Sequence, residues 1–299
     1  MHVPHPNDTS GGGGGIRLLA ALFLNLGITI AEIVGGLLSG SLALLSDAVH
    51  NLGDTVSLGV SYFARSYSNK RADHVSTFGY RRIEVLAAFL NLIVLGVLSL
   101  LLIKESVERA LDPQPIRGGL MLAVAVAGLA ANLISALLLH RDARESLNIR
   151  SAYLHILSDA ASSVGVVVAG ILILHLDWVL ADPIVTLAIS AVILYQVYHL
   201  IRESANILMN SAPPDIEVAQ VERAMEEVAL VRNIHHVHVW SMHERSVALE
   251  AHVVIDSSEA EAMTRIKDQL KSVLEQRFGI THSTLEFEFE QCQPPPECR

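Results

Sequence analysis

His50 and Asp54 stand four residues apart in SDAVHNLGDTVSLGV, and His155 and Asp159 repeat that spacing in SAYLHILSDAASSVGV. Both segments are otherwise apolar. Ionisable side chains are costly in hydrocarbon, so each pair needs a compensating partner. The i, i+4 spacing sets both side chains on one helix face, one turn apart. Two such faces turned toward each other supply two imidazoles and two carboxylates, a ligand set suited to tetrahedral Zn²⁺. With neutral imidazoles the set carries two negative charges, which a divalent cation cancels where the dielectric is low. Two nitrogen ligands disfavour Mg²⁺ and Ca²⁺; Cd²⁺, Co²⁺, Fe²⁺ and Ni²⁺ remain compatible beside Zn²⁺. One such pair reads equally as a polar network gluing helices together. Its duplication at identical spacing favours a metal site. Ala48, Gly53, Ser57 and Gly59 around the first pair, and Ala160, Ala161, Ser162, Ser163 and Gly165 around the second, permit close helix approach.

The elements that must position these pairs are long apolar helices. The chain of 299 residues is 51% hydrophobic and 17% charged, with a mean hydropathy of +0.43. Soluble proteins carry roughly 25% charged residues. Spans are expected near 16–38, 42–66, 83–107, 118–139, 152–174 and 182–205, each long enough to cross a bilayer. Arg65, Lys70, Arg71, Arg81 and Arg82 follow span 2, and Arg141, Arg144 and Arg150 follow span 4. The opposite connections hold few basic residues, chiefly Arg117. Excess Lys and Arg marks the cytoplasmic side, which places both termini there and agrees with an even number of spans. The polar start lacks the basic region of a secretory signal, and residues 1–15, including His2 and His5, read as a disordered tail.

From Pro213 the pattern changes to an α-β-β-α-β order, a small α+β domain over 211–290 followed by a tail at 291–299. The six-span domain therefore occupies 16–210. In THSTLEFEFE, Leu285, Phe287 and Phe289 are expected on one face and Glu286, Glu288 and Glu290 on the other. The formal charge of −10 resides largely in this last third. Basic residues form no stripe, which argues against nucleic-acid binding. Cys292 and Cys298 are too few for a disulfide scaffold and read as tail thiols or as closing ligands.

Other polar residues in the spans either line an aqueous path or bond between helices: Asn25, Glu32, Asp47, Asn51, Asn91, Asn132 and Ser135. His140, His175 and His199 sit near span ends and read as interfacial. No HExxH motif is present and no general base stands beside the four ligands, so the chain does not read as a metalloenzyme. A membrane metal sensor or a passive zinc channel is the alternative to a transporter.

SLALLSDAVHNLGD, FGYRRIEVLAAFLN, NIRSAYLHILSDAASSVGV, HHVHVW and HSTLEFE together resemble the cation diffusion facilitator family, in its bacterial zinc, cadmium and cobalt exporter branch. The resemblance implies a six-span homodimer in the bacterial inner membrane, with a cytoplasmic ferredoxin-like domain. It implies exchange of cytoplasmic Zn²⁺ for external protons by alternating access, with no organic cofactor. It assigns the transport site to His50, Asp54, His155 and Asp159. It assigns a regulatory metal site to His235, His252, Glu286 and Glu288. His236, His238, His243 and His282 are then expected at exposed strand or loop positions, and Trp240 packed in the domain or its dimer contact. Asp73 and His74 are the only candidates for a further loop site, and a solvated loop is the expectation. Arg82 is the candidate cation of a family salt bridge that ties span 3 to span 6, but ILMNSAPP offers it no acid.

Overall fold

The computed structural model describes residues 12–68, 73–140, 147–243, 246–256 and 260–289. His2, His5, Lys70, Arg71, Arg141, Arg144, Glu290, Cys292 and Cys298 lie outside the described residues, as does the side chain of His243. Two compact units divide the chain: one holds the residues up to Val60 with Leu90–His199, the other Ser61–Phe89 with the chain from Leu200 onward.

Six long helices come first: α1 (Gly12–Ser39), α2 (Leu42–Ser68), α3 (Arg82–Leu111), α4 (Gly118–Leu139), α5 (Leu147–Leu176) and α6 (Ala181–Leu208). Among the described residues, α3, α4, α6 and the Tyr153–Leu176 part of α5 are long and apolar enough to cross a membrane; Phe23–Ser39 of α1 is a shorter apolar stretch. α2 is more polar because it carries Asp47, His50, Asn51 and Asp54. Outward faces expose Leu37, Leu100, Leu137, Val192 and Tyr195. Apolar surface of this extent belongs against lipid, as in a multi-pass membrane protein. α1 already begins in the glycine run at Gly12, ahead of the expected start at 16. A helix nucleated in the apolar stretch propagates outward at one hydrogen bond per residue, even through poor helix formers.

In the first unit α4 packs along α5 and α1. A Cβ at Gly170 would lie 3.2 Å from the Leu122 Cα, so the α4 and α5 backbones approach closely there. Ala43, Met121, Ala125, Val166 and Ala169 fill the buried core beside that contact. Gly40, at φ +78°, turns the chain from α1 into α2. The start of α2 is then held by a residue far away in sequence. Asp182, fully buried in the first turn of α6, accepts hydrogen bonds from Ser41 Oγ (2.5 Å), Leu42 N (2.8 Å) and Ala43 N (3.0 Å). It satisfies orphan N–H groups of the α2 N-terminus and meets the positive end of that helix dipole. Arg109 Nη1 donates to the Gly40 carbonyl at 2.6 Å and fixes the same turn from α3.

The second unit carries α7 (Val218–Glu226), β1 (Val231–His243), β2 (Ser246–Ile255), α8 (Ala260–Phe278) and β3 (His282–Glu288). β2 lies at the centre of a three-stranded sheet, antiparallel to β1 and parallel to β3. The β2-to-β3 connection runs through α8, as a parallel pair requires. Alternation along β2 puts Leu249, Ala251 and Val253 into a core with Val221, Ile266 and Leu270. Gly279, at φ +68°, ends α8: its N–H bonds the Glu275 carbonyl and the Ile280 N–H bonds that of Leu274. Leu285 and Phe287 pack on this core as their alternation suggests, whereas Phe289 is 50% exposed because β3 stops at Glu288.

Replacing Asp182 by Ala leaves several buried donors at the start of α2 without an acceptor. The expected cost is about 2 kcal/mol or more. It should appear as a lowered midpoint of thermal unfolding in detergent.

Candidate metal centre

The two sequence pairs meet. α2 presents His50 and Asp54, α5 presents His155 and Asp159, and the helical i, i+4 offset stacks each pair on a single face. Each imidazole lies nearer the carboxylate of the opposite helix than its own. His50 Nε2 is 3.4 Å from Asp159 Oδ1 and 3.8 Å from Asp54 Oδ2. His155 Nε2 is 3.1 Å from Asp54 Oδ2 and 3.9 Å from Asp159 Oδ2. Donors around a tetrahedral Zn²⁺ stand about 3.3 Å apart, given the usual bond lengths. The cross-helix distances bracket that spacing; His50, Asp54 and Asp159 bring ligand atoms within 4.8 Å of one another, and His155 joins them through Asp54. The imidazole rings lie 6.1 Å apart, edge to face.

Burial is uneven across the four. The Asp159 side chain is only 3% exposed, whereas that of His155 is 48% exposed. Asp54 Oδ2 and Asp159 Oδ1 are buried and make no hydrogen bond of good geometry. Buried carboxylate oxygens without donors are costly and call for a cation. Neighbours hold the frame. Ser162 Oγ lies 2.8 Å from the Asp159 carbonyl and 2.6 Å from Asp47 Oδ1, and Ser163 Oγ donates to Asp47 Oδ2 at 3.0 Å. Asn91 of α3 donates to Ser57 Oγ and to the Gly53 carbonyl, beside Asp54. Of the other span residues, Asn51 Nδ2 donates to Glu32 Oε2 at 3.0 Å and Asn132 Nδ2 to Ser163 Oγ at 3.2 Å. Sequence patterning singled these residues out one by one; their linkage depends on packing between helices distant in sequence.

A second cluster lies in the α+β unit. His235 on β1 is in register with His252 on β2, and His252 with Glu286 on β3. Strand alternation turns these residues, with Glu288, to the face opposite the helices. His252 Nδ1 is 2.8 Å from Glu288 Oε1, His235 Nε2 is 3.4 Å from Glu288 Oε2, and His252 Nε2 is 3.6 Å from Glu286 Oε2. His235, His252 and Glu288 bring potential ligand atoms within 4.8 Å of one another. Glu286 is 69% exposed and stands at the rim.

His236 departs from the expected exposed position. β1 carries one residue too many between His235 and His238, a bulge, and His236 takes φ +54°. The bulge swings its ring to 4.8 Å from that of His252 and 4.6 Å from that of His238. No glycine marks this bulge in the sequence, so nothing there announced it. His238 is exposed, and His282 stacks edge to face with Phe78 at 6.0 Å. Trp240 is half-buried and lines a pocket of about 420 Å³ with Arg82, Asn210 and Met242. Arg82 binds the Asn210 amide oxygen and the Met242 carbonyl, so in ILMNSAPP a neutral amide receives this cation. In the loop, Asp73 caps its own turn through the Val75 and Ser76 N–H groups and accepts from the Tyr80 hydroxyl. That use of both oxygens suits a structural role, and His74 beside it is exposed.

Two family models match the chain. Residues 18–209 match the cation efflux transmembrane domain and residues 213–290 the cytoplasmic domain of cation efflux proteins. Over 297 residues the chain is 40% identical to the zinc transporter ZitB of Escherichia coli (strain K12), spanning 98% of this chain and 92% of that one. It is 38% identical over 294 residues to a cadmium, cobalt and zinc/H(+)-K(+) antiporter of Bacillus subtilis (strain 168), covering 94% and 93%. It is 36% identical over 293 residues to the cation efflux system protein CzcD of Alcaligenes sp. (strain CT14), covering 98% and 92%.

Changing Asp54 to Asn should lower the affinity of the helical site for Zn²⁺ by about 100-fold or more, measured by equilibrium binding in a His252→Ala background. Because imidazoles must be deprotonated to bind metal, affinity at this site should fall as the pH is lowered. The loss should be about tenfold per pH unit for each proton displaced.

Proposed function

The chain belongs to the cation efflux family, and from that premise we infer that this divalent metal cation exporter exchanges cytoplasmic Zn²⁺ for external protons. The observation that carries the reading is the cross-helix cage of His50, Asp54, His155 and Asp159. Zn²⁺ enters from the cytoplasm and binds these four groups, its two positive charges offsetting the two carboxylates. Tilting of the helices opens the cage outward, and protons then compete for the same imidazoles and carboxylates. Protonated groups return inward without leaving uncompensated charge in the bilayer. Relatives that carry zinc in their names support this choice of cargo, as does a cage of two nitrogens and two oxygens. Cd²⁺ and Co²⁺ suit the same ligands, and the antiporter relative is named for them.

Our reading places six spans in the bacterial inner membrane with both termini cytoplasmic, which the distribution of Lys and Arg supports. It treats the α+β unit from residue 211 onward as a ferredoxin-like cytoplasmic domain that pairs with its counterpart in a homodimer. Metal at His235, His252, Glu286 and Glu288 draws the two protomers together and biases the transport cycle as an effector does. Each carboxylate there sits on the helix-free face of the sheet, where a second copy has access.

Purified protein in proteoliposomes, with a pH gradient imposed and internal pH recorded, tests the transport cycle. Zn²⁺ uptake should require the gradient and be abolished by His50→Ala or Asp159→Ala in protein that still folds. Gradient-independent flux would indicate a passive channel, and unaltered flux in either mutant would remove the site assignment. A chain truncated before residue 213 should dimerise more weakly and transport more slowly; an undiminished rate would make the cytoplasmic domain dispensable.

A further inference from the structure

A second carboxyl group lies beside the cage and is not part of it. Glu32 of α1 is 1% exposed, and no cationic side chain faces it among the described residues. Its charged neighbours are both acids: Asp47 from α2 and Asp159 from α5. α4 faces it with Gly128, where a Cβ would lie 2.7 Å from Glu32 Oε1, so the carboxyl rests against helix backbone. The two acids of this buried layer are solvated differently. Asp47 accepts from two serine hydroxyls, which suits a carboxylate. Glu32 accepts from one amide donor, Asn51 Nδ2.

Asn51 supplies the independent observation. It is completely buried, and its Oδ1 has no hydrogen-bond partner. An amide presents a donor on one side and an acceptor on the other. With Glu32 ionised, Nδ2 donates to the carboxylate. With Glu32 protonated, a half-turn of the amide lets the carboxyl O–H donate to Oδ1. The Glu32–Asn51 pair thus has a bonded arrangement for each protonation state of the acid.

We propose that Glu32 is a second proton carrier of the transport cycle, separate from the metal ligands and matched in both of its states by Asn51. The inference rests on the proton-coupled reading above. Metal arriving in the adjacent cage attracts a negative charge at Glu32, so loading the cage releases the proton from its Oε to solvent. Unloading the cage returns a proton to the same carboxylate. Linkage makes the effect mutual: a proton on Glu32 weakens metal binding.

The test is the number of protons released when Zn²⁺ binds the full-length protein in detergent, from calorimetry in buffers of different ionisation enthalpy. Glu32→Gln should release about one proton fewer per Zn²⁺ than the unaltered protein, and its binding should depend less steeply on pH. Glu32→Asp should restore the count. Protons released at the cytoplasmic histidines cancel in the comparison. An unchanged count and slope in Glu32→Gln would overturn the proposal and leave only a structural role. Infrared difference spectra of the unaltered protein provide a measurement that does not depend on folding of a variant. Zn²⁺ addition should remove the carbonyl band of a protonated carboxyl, and absence of that band before metal is added would overturn the proposal. If the unaltered protein released no protons on binding Zn²⁺, the antiport reading would fall together with this one. Release that is unchanged by Glu32→Gln defeats the role of Glu32 alone.

Discussion

Charge inside an apolar helical unit is the constraint from which the rest follows. α2 and α5 each carry an imidazole and a carboxylate into a setting where isolated ions are expensive. The two pairs face one another across the gap between the helices, each histidine leaning toward the other helix's aspartate at 3.1 and 3.4 Å. That crossed pairing makes the two helices depend on one another. It also creates an acceptor-rich pocket whose buried oxygens lack donors, a state that a divalent cation or incoming protons relieve. Transport chemistry of this kind needs a site that is costly when empty and ionised but satisfied when either competitor occupies it.

A cage of this sort is only as good as the frame around it. Small residues let α4 and α5 approach at Gly170, and serines 162 and 163 tie the turn after Asp159 to Asp47. Asn91 reaches from α3 to the segment of α2 next to Asp54. In the α+β unit the framing principle differs. There the sheet register itself aligns His235, His252 and Glu286 across three strands, and the bulge at His236 adds a third ring to the row.

The repeated HxxxD spacing made the cage legible in the sequence, because helical periodicity fixes which side chains share a face. Alternation along β2 and β3 likewise separated the core residues from His252, Glu286 and Glu288. What escaped were relations between residues far apart in the chain. Glu32 and Asn51 meet only because α1 and α2 pack. Asp182 reads in sequence as part of a loop-to-helix junction, yet its function is to cap a helix that begins 140 residues earlier. The turn of His236 onto the histidine row follows from strand register, which no local residue type signals. Asn210 as the acceptor for Arg82 replaces a missing acid with an amide, a substitution that charge counting passes over.

The capped start of α2 also bears on motion. Asp182 grips that end through two backbone amides and a hydroxyl, so the beginnings of α2 and α6 form one rigid joint. Displacement of either helix start would therefore be passed to the other, and the joint lies only about two helical turns from His50.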